Sequence, residues 1–220
     1  MAGKLIVLDG LDGSGKTTQI QMLYDHLKTK GKKIRLVSFP DYDSPSSALV
    51  KMYLAGEFGK NASDVNAYAA SAFYAVDRFA SYKKNWEKDY LSGTIILCAR
   101  YTTSNAIHQM EKTDKAQWDE FLDWLYDFEF NKLGLPRPDR VLFLDMPLRA
   151  AQTLLDKRYH GDENKRDIHE RDLEYLLHCR EAALYAAQKL NWKVVSCGEN
   201  GDPLPKELIL QTILNSIQEK

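Results

Sequence analysis

The chain has 220 residues, 44% hydrophobic and 28% charged, with a formal net charge of −1. Those proportions describe a soluble globular protein with no global field to attract nucleic acid or an anionic membrane, so any phosphate recognition must be local. Cys98, Cys179 and Cys197 fit neither a zinc pattern nor a disulfide framework. No stretch reaches the ~18 apolar residues of a membrane span and no secretory leader is legible. The expected location is the cytosol, with no nucleic-acid or membrane partner.

Lys4-Leu5-Ile6-Val7-Leu8 reads as a buried strand, and Thr18 to Leu27 places apolar residues at 20, 23, 24 and 27, a helical spacing. Between them lies Gly10-Leu11-Asp12-Gly13-Ser14-Gly15-Lys16-Thr17, which fits G-x-x-x-x-G-K-[ST] at every fixed position. Glycines there let consecutive backbone N–H groups face one concavity. The helix N-terminus adds partial positive charge, Lys16 a full one, and Thr17 a hydroxyl for Mg²⁺.

Lys33 to Phe39 predicts a second strand stopped by Pro40, and Ser47 to Ala55 a helix ended by Gly56. Asn66 to Glu87 is a long helical pattern, with Tyr68, Ala72, Phe73, Val76, Phe79 and Ala80 at three- and four-residue steps. Thr94 to Cys98 has the apolar continuity of a strand covered on both faces. Trp118 to Phe130 predicts an amphipathic helix, Arg140 to Asp145 a strand, and Leu148 to Lys157 a helix. Lys157 to Asp172 holds three arginines, two lysines and five acids, too polar to bury a core. Tyr175 to Leu190, Lys193 to Cys197 and Leu204 to Ile217 predict a helix, the last strand and the closing helix. This alternation predicts one α/β domain over 1–220 with a parallel sheet and helices on both faces. The glycine motif makes it P-loop NTPase-type, and the charged stretch 157–172 is its candidate mobile lid.

In such a sheet, ligands gather beyond the carboxyl ends of the strands. Phe39-Pro40, followed by Asp41-Tyr42, either walls a substrate pocket or simply ends a strand. Arg100 can hold an anionic group in two parallel hydrogen bonds, or pair with a surface acid. Ser104 and Asn105 suit a base edge, or cap the next helix. Tyr74 and Arg78, four apart on one helical face, suit a stacked base, or are a core aromatic and a surface arginine. The charged stretch is either a solvated loop or a lid whose Arg158 and Arg166 close over a transferring phosphoryl group.

Gly10 to Thr18 together with Phe39-Pro40, Asp77-Arg78-Phe79, Arg100-Tyr101 with Ser104-Asn105, Gly134-Leu135-Pro136-Arg137-Pro138-Asp139 and the charged stretch resembles the thymidylate kinases over nearly the whole chain. The resemblance implies transfer of a phosphoryl group from ATP to dTMP, with Mg²⁺, by a homodimer. It implies that the loop from Gly10 through Thr18 binds ATP phosphates with Lys16, that Thr17 binds the metal, and that Asp12 lies between the two nucleotides near the acceptor sugar or the metal. It places Tyr74 on thymine, where the family usually has phenylalanine. Arg78 and Asn105 would sit at the base edge, Arg100 at the acceptor phosphate and His108 near the sugar, with Phe39, Pro40, Tyr42 and Ser104 completing the acceptor site. Gly13 stands where some members carry a catalytic arginine, so Arg158 or Arg166 would supply one. Ala99 replaces a usual aspartate and Asp9 a usual glutamate. That leaves two alternatives: a kinase for a deoxynucleoside or another nucleoside monophosphate, or a catalytically impaired nucleotide-binding homologue.

Overall fold

The computed structural model describes residues 2–59, 61–159 and 173–218. Five strands, β1 (Leu5–Gly10), β2 (Ile34–Ser38), β3 (Ile95–Ala99), β4 (Arg140–Asp145) and β5 (Lys193–Ser196), pair in parallel in the order β2-β3-β1-β4-β5. The apolar run from Leu5 makes β1 the natural centre, and every residue of that strand is buried. Its alternation divides the core. Ile6 and Leu8 pack with Ile20 and Leu23 of α1 (Lys16–Thr29) and with Ile209 and Ile213 further along the chain. Leu5 and Val7 pack on the opposite face with Ile96, Cys98, Trp86 and Tyr101.

Between the strands run α2 (Ala48–Leu54), α3 (Ala67–Ser81), α4 (Glu87–Leu91), α5 (Thr102–His108), α6 (Trp118–Tyr126), α7 (Leu148–Tyr159) and α8 (Leu173–Lys189), and α9 (Lys206–Gln218) closes the chain. The fold class and the order of strands and helices are as the sequence predicts. A wide π-type turn over 82–86 joins α3 to α4, so the predicted long helix continues to Leu91. The sequence placed a helix near Ser104 without its bounds, and did not predict the short hairpin of β6 (Gly198–Glu199) with β7 (Asp202–Pro203).

Two readings change. The apolar pattern of α3 divides: Tyr68, Val76 and Phe79 are exposed, Phe73 packs against the cluster of Tyr53 and Val65, and Ser71, Asp77 and Arg78 are buried with Ala70 and Ala75. Arg78 is therefore not a surface arginine. Ser104 and Asn105 do not cap α5, because Tyr101 holds the cap position and both residues sit inside the helix. Arg166 and the rest of the expected lid from 160 to 172 lie outside the described residues, as does the Arg158 side chain.

Candidate active site

The phosphate loop leaves β1 at its carboxyl end and enters α1. Gly13 and Gly15 have φ of +77° and +82°, where a Cβ is strained. Gly15 caps α1 without a side chain, so the first-turn amides are open to an anion. Lys16 lies back along the loop and donates from Nζ to the Gly10 and Leu11 carbonyls at 2.6 and 2.7 Å. Thr17 and Thr18 expose their side chains at the helix start.

A Cβ built at Gly13 would meet the Ala151 carbonyl oxygen at 2.6 Å, backbone against backbone. An arginine at this position has no room. Gly13→Ala should therefore displace the loop from α7, lower stability by about 1–3 kcal/mol and weaken ATP binding. Thermal melts with and without ATP check this: the variant should melt earlier and gain less from the nucleotide.

Across from the loop opens a cavity of about 760 Å³ that brings Lys16, Thr17 and Asp12 together with Phe39, Pro40, Tyr42, Tyr74, Arg78, Arg100, Ser104, Asn105 and His108. The strand order explains the meeting, since β1, β3 and β2 are neighbours and their carboxyl ends deliver the loop, Arg100 and Phe39 to one edge. The buried Phe39 ring tilts against Tyr101 at 6.0 Å, and the Phe39–Pro40 peptide is cis. Asp77 fixes the following loop by accepting from the Asp41 amide at 2.8 Å and from the Ser46 hydroxyl.

Arg100 takes a left-handed backbone, φ +63°, a conformation that costs a non-glycine residue and persists only where its surroundings hold it. Its amide donates to Leu8 and its carbonyl accepts from the Cys98 thiol. Its guanidinium pairs with Asp12, lies 4.0 Å from Asp9 and reaches His108 Nε2 at 3.2 Å. Burial opposes the charge, but Asp12 and Asp9 outweigh it. Asp9, fully buried, accepts from the Thr103 and Ser104 hydroxyls at 2.6 and 2.7 Å and so ties β1 to α5.

Burial, then the Arg100 charge, pushes the His108 pKa down from 6.5 to about 3. Between those values the unfolded chain takes up a proton that the folded one refuses. The contribution of His108 to stability is thus fully present above pH 6.5 and is lost as pH falls toward 3, at up to ~1.4 kcal/mol per pH unit. Urea titrations between pH 7.5 and 4.5 should show a shallower pH dependence in His108→Gln than in the parent.

Arg78 and Glu129 form the deepest charged pair, 1% and 0% exposed. Nε donates to Oε2 at 2.7 Å and a second nitrogen to Oε1, while the third bonds the Tyr101 carbonyl at 3.3 Å. Glu129 also accepts from Thr102 Oγ1 at 2.7 Å and Asn105 Nδ2 at 3.3 Å. Sequence reasoning missed Glu129, although an acid four residues past Leu125 on the buried stripe Trp118, Phe121, Leu122 and Leu125 has to be paired. It also missed Tyr53, Gln109 and Tyr175 on the cavity wall. Tyr53 stands edge-on to Tyr74 and accepts from Lys112 Nζ at 2.7 Å, and burial lowers the Lys112 pKa to about 8.

The family model for thymidylate kinase matches residues 8–204. The thymidylate kinase of Mycobacterium tuberculosis is 30% identical over 206 residues, covering 90% of this chain and 93% of that one. A probable thymidylate kinase of Pyrococcus horikoshii is 32% identical over 151 residues, 69% of each chain. In fold, the thymidylate kinase of Candida albicans superposes with a TM-score of 0.71 at 23% identity, covering 99% of this chain and 92% of that one. A match across all but the two ends of the sequence places this phosphotransferase in the thymidylate kinase family.

Proposed function

We propose that the chain transfers the γ-phosphoryl group of ATP to dTMP, giving dTDP and ADP, as a single kinase domain. The carrying observation is one cavity that holds a phosphate loop on one side and Tyr74 with Arg100 on the other, in a chain matched by the family model over 8–204. The first-turn amides of α1 and Lys16 hold the ATP phosphates. Arg100 grips the acceptor phosphate, its fork set by Asp12 and His108. Tyr74 stacks on the base, walled by Phe39, Pro40 and Tyr42, with Arg78, Ser104 and Asn105 at its edge. Phosphoryl transfer needs positioning and charge neutralisation more than covalent chemistry from the protein, and these groups supply both.

Among the described residues no three His, Cys, Asp or Glu side chains cluster as a metal cage. The oxygen donors Thr17 and Asp12 nevertheless suit Mg²⁺, which takes one or two protein ligands beside substrate phosphates. When bound, Mg²⁺ neutralises charge on the transferring phosphates. The chain's part is to present the Thr17 hydroxyl at the helix start and to hold Asp12 between Arg100 and Lys16, 3.9 Å from the ammonium. Where Ala99 lacks the usual carboxylate, Asp9 supplies a buried one 4.0 Å from Arg100. The comparisons do not favour the alternatives of another kinase or an impaired homologue.

A coupled ADP-release assay across nucleosides and nucleoside monophosphates, with and without Mg²⁺, tests the reading. Fastest turnover is expected with dTMP and Mg²⁺. Turnover with another acceptor but not dTMP would overturn it.

The exposed Tyr68, Val76 and Phe79 of α3, with Tyr68 edge-on to Trp124 at 4.6 Å, support a homodimer through this face. No helix among the described residues is long and apolar enough to cross a membrane. A cytoplasmic location remains part of the proposal. The double variant Val76→Glu with Phe79→Glu should sediment as a monomer where the parent sediments as a dimer.

A further inference from the structure

The hydrogen bonds around His108 fix the position of its ring proton. A guanidinium carries donors only, so His108 Nε2, 3.2 Å from an Arg100 nitrogen, must be the acceptor. A neutral imidazole then carries its proton on Nδ1, which faces Tyr175 Oη at 3.4 Å and Cys179 Sγ at 3.6 Å, both on α8. The ring stacks on Tyr175 at 6.4 Å and 21°. On its other side Arg100 is drawn to Asp12, with Asp9 behind.

We infer that His108 is a positioning residue: in its Nδ1–H tautomer it holds the Arg100 guanidinium against the pull of Asp12 and ties it to α8. This rests on the reading of Arg100 as the acceptor-phosphate ligand. The choice of a neutral partner has a reason. A third carboxylate here would fix the guanidinium equally well but add negative charge to a cluster that already sets Asp12 and Asp9 against one arginine, and so repel an incoming phosphate. An imidazole accepts the hydrogen bond without adding any. Desolvation at the cavity wall and the facing arginine keep it neutral across the physiological range.

The inference separates from simple packing against the sugar by the choice of replacement. His108→Phe keeps a ring on Tyr175 but removes the acceptor. It should raise the KM for dTMP about tenfold, the effect of losing one charge-assisted hydrogen bond, with the KM for ATP unchanged. His108→Gln, which offers an acceptor and a donor, should recover part of that loss. In the ¹⁵N spectrum of the parent, with His108 assigned by its absence from His108→Gln, Nδ1 should resonate as protonated and Nε2 as unprotonated. An Nε2–H tautomer, or an unchanged dTMP KM in His108→Phe, overturns the inference. Absence of dTMP turnover in the parent overturns the functional reading instead, and the tautomer still decides the link between His108 and Arg100.

Discussion

Glu129→Ala should cost about 3–5 kcal/mol, a large share of the about 5–15 kcal/mol that holds a typical domain folded. The size follows from what stays behind. Arg78 is 1% exposed and cannot shed its proton, so without Glu129 its charge stays buried with the neutral Tyr101 carbonyl in place of a carboxylate. Thr102 and Asn105 lose an acceptor in the same step, which loosens α5 from the segment after α6. Replacing both partners is a different experiment. Glu129→Leu with Arg78→Met removes both charges together and should recover much of the stability, because the penalty belongs to the unpaired ion rather than to the missing bond. Urea unfolding of Glu129→Leu, Arg78→Met and the double variant that combines them gives the coupling energy directly. A coupling energy near zero would mean that water or another group serves Arg78.

That pair also shows where reading the sequence stops. The phosphate loop, the strand from Arg140 to Asp145 and the placement of Arg100 just past β3 were legible, because each is local: a glycine pattern, an apolar run, a position directly after a strand. The inward face of α3 was not. Period analysis assigns apolar residues to the core, but here Asp77 serves the Asp41–Ser46 loop and Arg78 serves Glu129, so the polar face turns in and Tyr68, Val76 and Phe79 turn out. What decides the matter is a partner 51 residues away in sequence, to which a 3.6-residue period is blind. The web around Asp9 is hidden for the same reason: its partners Thr103 and Ser104 lie on α5, a seven-residue helix with no clear apolar stripe. Residues the motifs brought together in words, Lys16 with Arg100 or Phe39 with Tyr74, met in space because the sheet order places β1, β3 and β2 side by side. Beyond the apolar run that puts β1 at the centre, no local motif specified that order.

Lys16→Met should lower kcat by about 10³-fold while leaving dTMP binding nearly unchanged. The ammonium already points into the loop, fixed by the Gly10 and Leu11 carbonyls at 2.6 and 2.7 Å, so little reorganisation is needed when phosphate arrives. Charge developing on the transferring group is then met by a donor whose position has been fixed in advance, the condition under which one such group has its largest effect on rate. Methionine keeps the length of the stem and removes the charge. Lys16→Arg should fail nearly as badly, because two carbonyls this close accommodate a compact ammonium and not a planar fork. The acceptor side should be spared, because Asp12 keeps Arg100 as its nearer partner when Lys16, 3.9 Å away, is lost. Calorimetric dTMP titration beside steady-state kinetics separates the two effects. A variant whose kcat stayed within tenfold of the parent would place phosphoryl transfer somewhere other than this loop.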